Sequence, residues 1–401
     1  MIRNFTTARA LRPPPGPSQK PLRVALVTEF YYPHFGGVTE HVQNLAVHLR
    51  AWGHTAVVVT SRMAGQRESA GVHRVGRSVV ILSNGSFARV TVGLGLRKQI
   101  RDIFRRERID LVHVHGPLTP TLGLIAPEAA ADLGIPTVGT FHSWFRRSVA
   151  YSILRVPLQR RLERLAACIA VSAPAIDAHA RYFKANWEII PNGVDVGYFH
   201  PNGRKPPDAS SGPKLLFLGR LDPRNGLDQV LSAMPAVLEE YPKAKLTIAG
   251  DGPLRPAYES RARPLGASVT FVGRVYGERP SLYAGADLYL CPTNKASFGI
   301  TLLEAMACGT PVITSSSSSL PEVGGDAALR VDPHDAIDLA DAMYRVLTDA
   351  DLRDDLRERG LKWVRAFSWR RTAEQISRLL DEVRAGTGGA TPHPSPPVAP
   401  S

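Results

Sequence analysis

Cysteine is scarce: the 401 residues hold three, Cys168, Cys291 and Cys308. Their spacing forms neither a disulfide framework nor a zinc pattern, and a reducing cytosol suits them. Long apolar runs are missing as well. No stretch reaches the roughly 18 apolar residues that a membrane-spanning helix needs, although 44% of the residues are hydrophobic, as in a globular protein. The opening stretch MIRNFTTARALRPPPGPSQK has no apolar core of signal-peptide length, so export is not expected. Acidic residues run short in one half only. Residues 1–205 carry 27 Lys and Arg against 12 Asp and Glu, and residues 206–401 carry 22 against 24, so the net charge of +13 resides in the N-terminal half. Such a half suits an anionic partner, whether nucleic acid, acidic substrate or anionic lipid, unless the chain is simply rich in arginine. No nucleic-acid recognition motif accompanies the charge, which argues against that partner.

What is present is a regular alternation. Short β-type runs occur at Arg23–Thr28, Ala56–Thr60, Val79–Leu82, Leu111–His115, Thr137–Thr140 and Cys168–Ser172, with helical stretches between them. A second series follows at Lys214–Leu218, Lys245–Ala249, Val269–Val272, Leu288–Cys291, Val312–Thr314 and Ala328–Val331. Strands alternating with helices imply parallel sheets covered on both faces, an α/β class. The Pro/Gly/Ser-rich segment GRKPPDASSGP separates the two series. The expected organisation is therefore a disordered tail (1–21), a first doubly wound domain (22–202), a linker (203–213), a second doubly wound domain (214–367), a terminal helix (368–385) opened by a Ser N-cap, and a disordered tail (386–401). Ligands of such folds bind at the carboxyl ends of strands, here the interdomain cleft.

Several stretches carry chemistry. In ASFGITLLEAMACGTP (296–311), the turn Ser297-Phe298-Gly299 leads into a short apolar helix from Ile300. A turn at a helix N-terminus offers free N–H groups and positive dipole to an anion. Glu304 is the helix's lone carboxylate and is expected to face water or a polar ligand, since burial unpaired is costly. A surface Glu on a core helix is the plainer reading. In TEFYYPHFGGVTEH, Gly36-Gly37 stands between a strand and a helix, which is the form of a phosphate-approach loop and also of an ordinary one. Arg220, in GRLDPRNG, follows a strand; its guanidinium can grip a diphosphate bidentately or lie in a surface turn. His142 follows a strand end in TFHS, as a catalytic or a capping residue. His113 and His115 alternate in VHVHGP and face one side, with no third metal ligand in view, so strand-end packing is favoured. In LGLRKQIRDIFRRER, Leu96, Ile100, Ile103 and Phe104 form one helix face; Arg97, Lys98, Arg101, Arg105 and Arg108 adjoin it. This is either a core-packed helix with a solvated face or a membrane-surface helix for anionic headgroups. The run Ser315–Ser319 reads as a polar loop without an assigned role.

Taken together, FGGVTEHV, LVHVHGP, VGTFHS, IIPNGVD, FLGRLDPRNG, AGDGP, FVGRV and SFGITLLEAMACGTPVI resemble the retaining family 4 glycosyltransferases over roughly residues 22–385. Within that family, SNGSFARVTVG, TFHS, ASFGITLLEAMACGT and the basic helix are most similar to phosphatidylinositol mannosyltransferases. The resemblance implies the GT-B architecture, two Rossmann-like domains facing a cleft, with a terminal helix that crosses back to the first. It implies transfer of a hexose, mannose from GDP-mannose, onto a lipid acceptor such as phosphatidylinositol, by a peripheral protein at the cytoplasmic membrane face. The donor base and sugar stay open. A UDP-sugar enzyme with another acceptor and a non-catalytic sugar-nucleotide binder are the alternatives.

The resemblance also assigns roles. His142 and Arg220 would be catalytic. The donor would be held by Gly36, Gly37, Arg220, Asn225, Arg274, Val275, Ser297, Phe298, Gly299, Ile300 and Glu304, with Arg274 and Val275 by the base and Glu304 at the ribose. The acceptor hydroxyl would sit near Gly37 and His142, and the membrane at Arg97, Lys98, Arg101, Arg105 and Arg108. Attack from the face of the leaving phosphate needs no enzymic nucleophile, and no metal or cofactor is expected. Two positions depart from the family. Its first glutamate of the donor motif is Ala296 here, and its second diphosphate cation, a lysine, is Asn225. One anion and one cation go together, so the site charge is nearly kept, with Arg224 or Lys295 as substitutes for the lost cation.

Overall fold

A computed structural model describes residues 21–34, 36–63, 69–83, 86–201 and 212–386. Its contacts divide the chain into two compact units. The first runs to Asn192 and resumes at Trp369; the second spans Gly193–Ser368.

The first unit holds strands β1 (Arg23–Thr28), β2 (Thr55–Ser61), β3 (Val72–Val75), β4 (Arg77–Ser83), β5 (Ser86–Val92), β6 (Leu111–His115), β7 (Thr137–Phe141), β8 (Ala167–Ala170) and β9 (Trp187–Ile189). Its helices are α1 (Gly37–Ala51), α2 (Leu96–Arg106), α3 (Leu122–Ala131), α4 (Val149–Ile153), α5 (Arg155–Leu162) and α6 (Ala173–Ala180). Seven strands form one sheet in the order β3-β2-β1-β6-β7-β8-β9, every pair parallel. Successive residues of β1 point to opposite faces. Ala25 and Val27 meet Ile100, Phe104 and Ala126 on one side; Val24 and Leu26 meet Leu45 and Leu49 of α1 on the other. That division is why β1 reads as a continuous apolar run and not an alternating one.

The second unit holds β10 (Lys214–Leu218), β11 (Lys245–Ala249), β12 (Val269–Gly273), β13 (Leu288–Cys291), β14 (Val312–Ser315) and β15 (Leu329–Val331). Its helices are α7 (Leu227–Glu240), α8 (Arg255–Ala262), α9 (Arg279–Gly285), α10 (Ile300–Ala307), α11 (Leu320–Gly324), α12 (Ala336–Thr348) and α13 (Ala350–Trp363). Its sheet order is β12-β11-β10-β13-β14-β15, again all parallel. Helix α14 (Trp369–Arg384) belongs to the first unit, where Ile376, Leu380 and Val383 join the cluster of Val24 and Leu26. Each sheet reverses its strand order once, between β1 and β6 and between β10 and β13. Those reversals are where a doubly wound sheet opens a crevice at its carboxyl edge.

Three expectations need correction. Val79–Leu82 lies in β4, which pairs with β5 as a separate antiparallel ribbon and not in the parallel sheet. The ribbon is tied down by Glu29: Thr91 Oγ1 donates to its carboxylate at 2.5 Å, Thr121 Oγ1 at 2.6 Å and the Leu122 amide at 2.7 Å. Burial raises the pKa of Glu29 in spite of these donors. Strand β8 ends at Ala170, earlier than Ser172, because Ser172 caps α6 by accepting from the Ala175 amide. Strands β3, β5 and β9, short or carrying charged residues, had no apolar signal of their own. The expected tails and linker fall almost wholly outside the described residues.

Candidate functional site

The second unit gathers its polar residues at the carboxyl ends of β10, β11, β12 and β13. Beyond β10 the chain turns at Gly219 and presents Arg220, whose side chain is 41% exposed and whose Nε lies 3.7 Å from an Asp222 carboxylate oxygen. Asp222 is the anchor here. It accepts from the Arg224 amide at 3.0 Å and pairs with the Arg224 guanidinium at 2.9 Å. Arg224 is therefore engaged by Asp222, while Lys295, the other candidate for the missing cation, is exposed. Asn225 has a different use: its Nδ2 donates to the Arg220 carbonyl at 2.6 Å, which pins the turn that carries Arg220. The loop after β11 presses on the same turn. Gly250 has φ of 137°, and a Cβ there would come within 1.8 Å of the Gly219 carbonyl, so no side chain fits. Beyond β12, Arg274 reaches Asp251 at 2.9 Å, with Val275 half-buried beside it. The Gly252 amide and Arg274 hold the Asp251 carboxyl below its usual range.

Beyond β13, Ser297, buried Phe298 and Gly299 lead into α10. Gly299 is the N-cap, at φ 105°, and no side chain caps this end. The Leu302 amide donates to the Gly299 carbonyl at 3.0 Å, and the amides before it, from Ile300, point donors at the positive end of the helix, where an anion is favoured. Four serines hold the loop in place. Ser315 and Ser317 donate to the carbonyls of Thr293 and Asn294; Ser318 accepts from the Ala296 amide at 3.0 Å, and Ser319 donates to the Ser297 carbonyl at 2.8 Å. The polar run without a role is a brace for the Ser297–Gly299 turn.

Glu304 does not face water. It is 2% exposed, with one oxygen 2.5 Å from Arg279 of α9 and the other accepting from the Tyr283 hydroxyl at 3.0 Å. The plainer reading of a surface Glu fails, and so does a water-facing one, because α9 brings a cation and a phenol to the carboxylate, which makes burial tolerable. Burial and the Glu304 charge push the Tyr283 hydroxyl well above its ordinary pKa, so it stays a donor.

In the first unit, Gly36 is the N-cap of α1, which starts at Gly37, again without a side-chain cap. One turn along α1, His41 meets two other imidazoles: its ring centroid lies 5.1 Å from that of His115, at the end of β6, and 4.9 Å from that of His142, just beyond β7. His115 Nδ1 and His142 Nε2 are 3.0 Å apart. His113 faces the same side, 4.4 Å from the His115 ring, and its Nε2 meets Thr140 Oγ1 at 2.7 Å. Burial holds all four imidazoles neutral: His41 near pKa 4, His113 near 3, His115 and His142 well below the ordinary value. Sequence reasoning missed His41 as a partner of His142, although it sits in FGGVTEHV at a helical turn from Gly37. It also missed Arg279 and Tyr283, for which the sequence offers no motif.

The basic helix is less free than its sequence suggests. Arg97 pairs with Asp132 at 2.6 Å, and Arg101 lies 3.8 Å from it; Lys98 and Arg105 are exposed. Arg108 lies beyond the end of α2 at φ 49°, so it leaves the helical face expected of it. Leu94, just before α2, is exposed, and further exposed apolar residues stand at Val149 and Ile153 of α4 and Val156 of α5, with Arg146, Arg147, Arg155 and Arg160 close in sequence.

Comparison with known proteins decides the family. Residues 35–198 match the family described as Glycosyltransferase Family 4, and residues 202–363 match Glycosyl transferases group 1. The chain is 32% identical over 376 residues to a phosphatidyl-myo-inositol mannosyltransferase of Mycobacterium tuberculosis, covering 92% of this chain and 98% of that one. The chain is a family 4 glycosyltransferase. This glycosyltransferase is also 30% identical to the phosphatidyl-myo-inositol mannosyltransferase of Propionibacterium freudenreichii, with 88% and 93% covered. Among solved structures, a Rickettsia africae glycosyltransferase aligns with a TM-score of 0.72 at 17% identity, over 91% of this chain and 99% of that one. Anabaena Alr3699/HepE, solved with UDP and glucose, aligns at 0.71 and 18% identity, over 90% and 100%. These likenesses establish the GT-B fold of the glycosyltransferase, and no described helix of it is long and apolar enough to cross a membrane.

Proposed function

We propose that this glycosyltransferase moves mannose from GDP-mannose, with retention, onto the inositol of an anionic phospholipid at the cytoplasmic membrane face. The observation that carries the reading is the 32% identity spanning 92% of the chain to a phosphatidyl-myo-inositol mannosyltransferase. The site chemistry fits it. Arg220 and the first amides of α10 would take the charge that develops on the leaving diphosphate, an electrostatic contribution of about 3–4 kcal/mol per well-placed donor. Arg274 and Val275 would flank the base. Glu304, oriented by Arg279 and Tyr283, would accept from the ribose hydroxyls. The leaving phosphate would itself take the acceptor proton, and His142 would position the inositol hydroxyl. Exposed Val149, Ile153 and Val156 beside arginines suit insertion among anionic headgroups. Asn225, as a tie on the Arg220 turn, favours an active site with a rearranged donor grip over a binding protein without turnover.

The test is nucleotide release on phosphatidylinositol vesicles with GDP-mannose, UDP-glucose and UDP-N-acetylglucosamine in parallel. GDP release with a mannosylated lipid is expected, and Arg220→Ala should lower kcat by about a hundredfold or more. Turnover confined to a UDP-sugar would overturn the donor assignment. Tight GDP binding without transfer to any lipid would establish the binding protein.

A further inference from the structure

The first unit brings together three side chains that no sequence motif connects. One ring nitrogen from each of His41, His115 and His142 lies within 4.8 Å of the other two. We propose that these imidazoles form a binding site for one borderline divalent transition-metal ion such as Zn²⁺ or Co²⁺, with Asn192 fixing the orientation of His41.

The donor set supports it. His41 Nδ1 stands 2.7 Å from the Asn192 side-chain oxygen, which can only accept, so Nδ1 carries the proton and Nε2 keeps its lone pair. That Nε2 of His41 is buried and finds no hydrogen-bond partner, and His115 is buried beside it. Both rings are nine-tenths or more buried, at 0% and 4% exposure. A buried ring nitrogen with an unused lone pair costs free energy that a metal bond would recover. A tetrahedral ion with metal–nitrogen bonds near 2.0–2.1 Å wants its nitrogens about 3.3 Å apart. Nδ1 of His115 and Nε2 of His142, hydrogen-bonded at 3.0 Å, stand near that spacing, so a bound ion would replace the proton between them and the larger adjustment falls on His41. Three imidazoles without a carboxylate select zinc, cobalt or nickel over magnesium or calcium, which take oxygen ligands. The Asn192 contact is the outer hydrogen bond that metal-binding histidines commonly make.

His142 half-faces solvent and supplies an entry path. It is also the residue placed at the acceptor hydroxyl. If that reading of the reaction holds, an ion bound here withdraws His142, and metal and acceptor exclude each other. The site is then an inhibitory one, not a requirement for transfer.

The experiment titrates Co²⁺ into the full chain after chelator treatment, reading the visible absorption of the bound ion. One equivalent is expected, with a tetrahedral band abolished on adding Zn²⁺. His142→Gln and His115→Gln should each remove the band, with far-ultraviolet circular dichroism checking that both variants fold. His142→Gln, half-exposed, keeps the test valid where the buried variant misfolds. Absence of a one-equivalent band overturns the site, as does a band unchanged in His142→Gln or one with thiolate charge-transfer character. Inhibition by Zn²⁺, reversed by chelator, is read separately. A bound ion without inhibition overturns the role of His142 at the acceptor and leaves the site standing.

Discussion

Removing Arg279 takes the cation from the buried carboxylate of Glu304 in the second unit. Glu304 is 2% exposed and Arg279 20%, so the pair is shielded from water and salt. Arg279→Leu keeps much of the side-chain volume and leaves Glu304 with Tyr283 as its remaining named donor. Breaking a buried pair by deleting one partner costs about 3–5 kcal/mol, because the other charge stays desolvated. For a domain of this size each kcal/mol lowers Tm by about 2–4 °C, so a fall of roughly 6–20 °C is expected. Glu304→Gln on top of Arg279→Leu removes the stranded charge while Tyr283 still finds an acceptor, and should recover at least half of the loss. Urea unfolding of the wild type, both single variants and the double variant gives the coupling energy directly. A coupling below about 0.5 kcal/mol, the noise of additivity between independent sites, would refute the view that Arg279 makes the burial of Glu304 tolerable.

Two further predictions use other parts of the molecule. Gly299→Ala places a Cβ 2.6 Å from Leu320 at φ 105°, so it should destabilise by about 1–3 kcal/mol and weaken nucleotide binding by calorimetry; unchanged affinity would detach the turn from the donor. His179, 2% exposed, has its pKa lowered by burial to about 4. The unfolded chain takes up its proton near pH 6.5 and the folded chain does not, so stability is full above pH 6.5 and declines as pH falls toward 4. His179→Phe should flatten that decline by about 3 kcal/mol in urea titrations at the two pH values, and an equal decline in both proteins would refute the assignment.

Much of the fold was legible because apolar runs mark strands buried on both faces. β1, β6, β10, β11 and β13 stand at the limits that their sequences mark. The β4–β5 ribbon was misplaced because an apolar run says nothing of its pairing partner. What orients the site was harder to read. Glu304 looked solitary since its partners come from another helix, and Asn225 looked like a loss since its hydrogen bond runs to a backbone carbonyl. The Ser315–Ser319 run was visible but uninterpretable until its hydroxyls met the loop after β13. His41, His115 and His142 come from three separate elements, so only the sheet order brings them together.

Helix α14 gives the chain an unusual order of assembly. It supplies Ile376, Leu380 and Val383 to the cluster built on Val24 and Leu26, so one layer of the first unit stays open until residue 383 has been synthesised. Residues 193–368 are all available before then. Nascent chains generally fold from the N-terminus onward. Here the later unit can close first, while the earlier one waits on the ribosome with an apolar flank of its sheet uncovered.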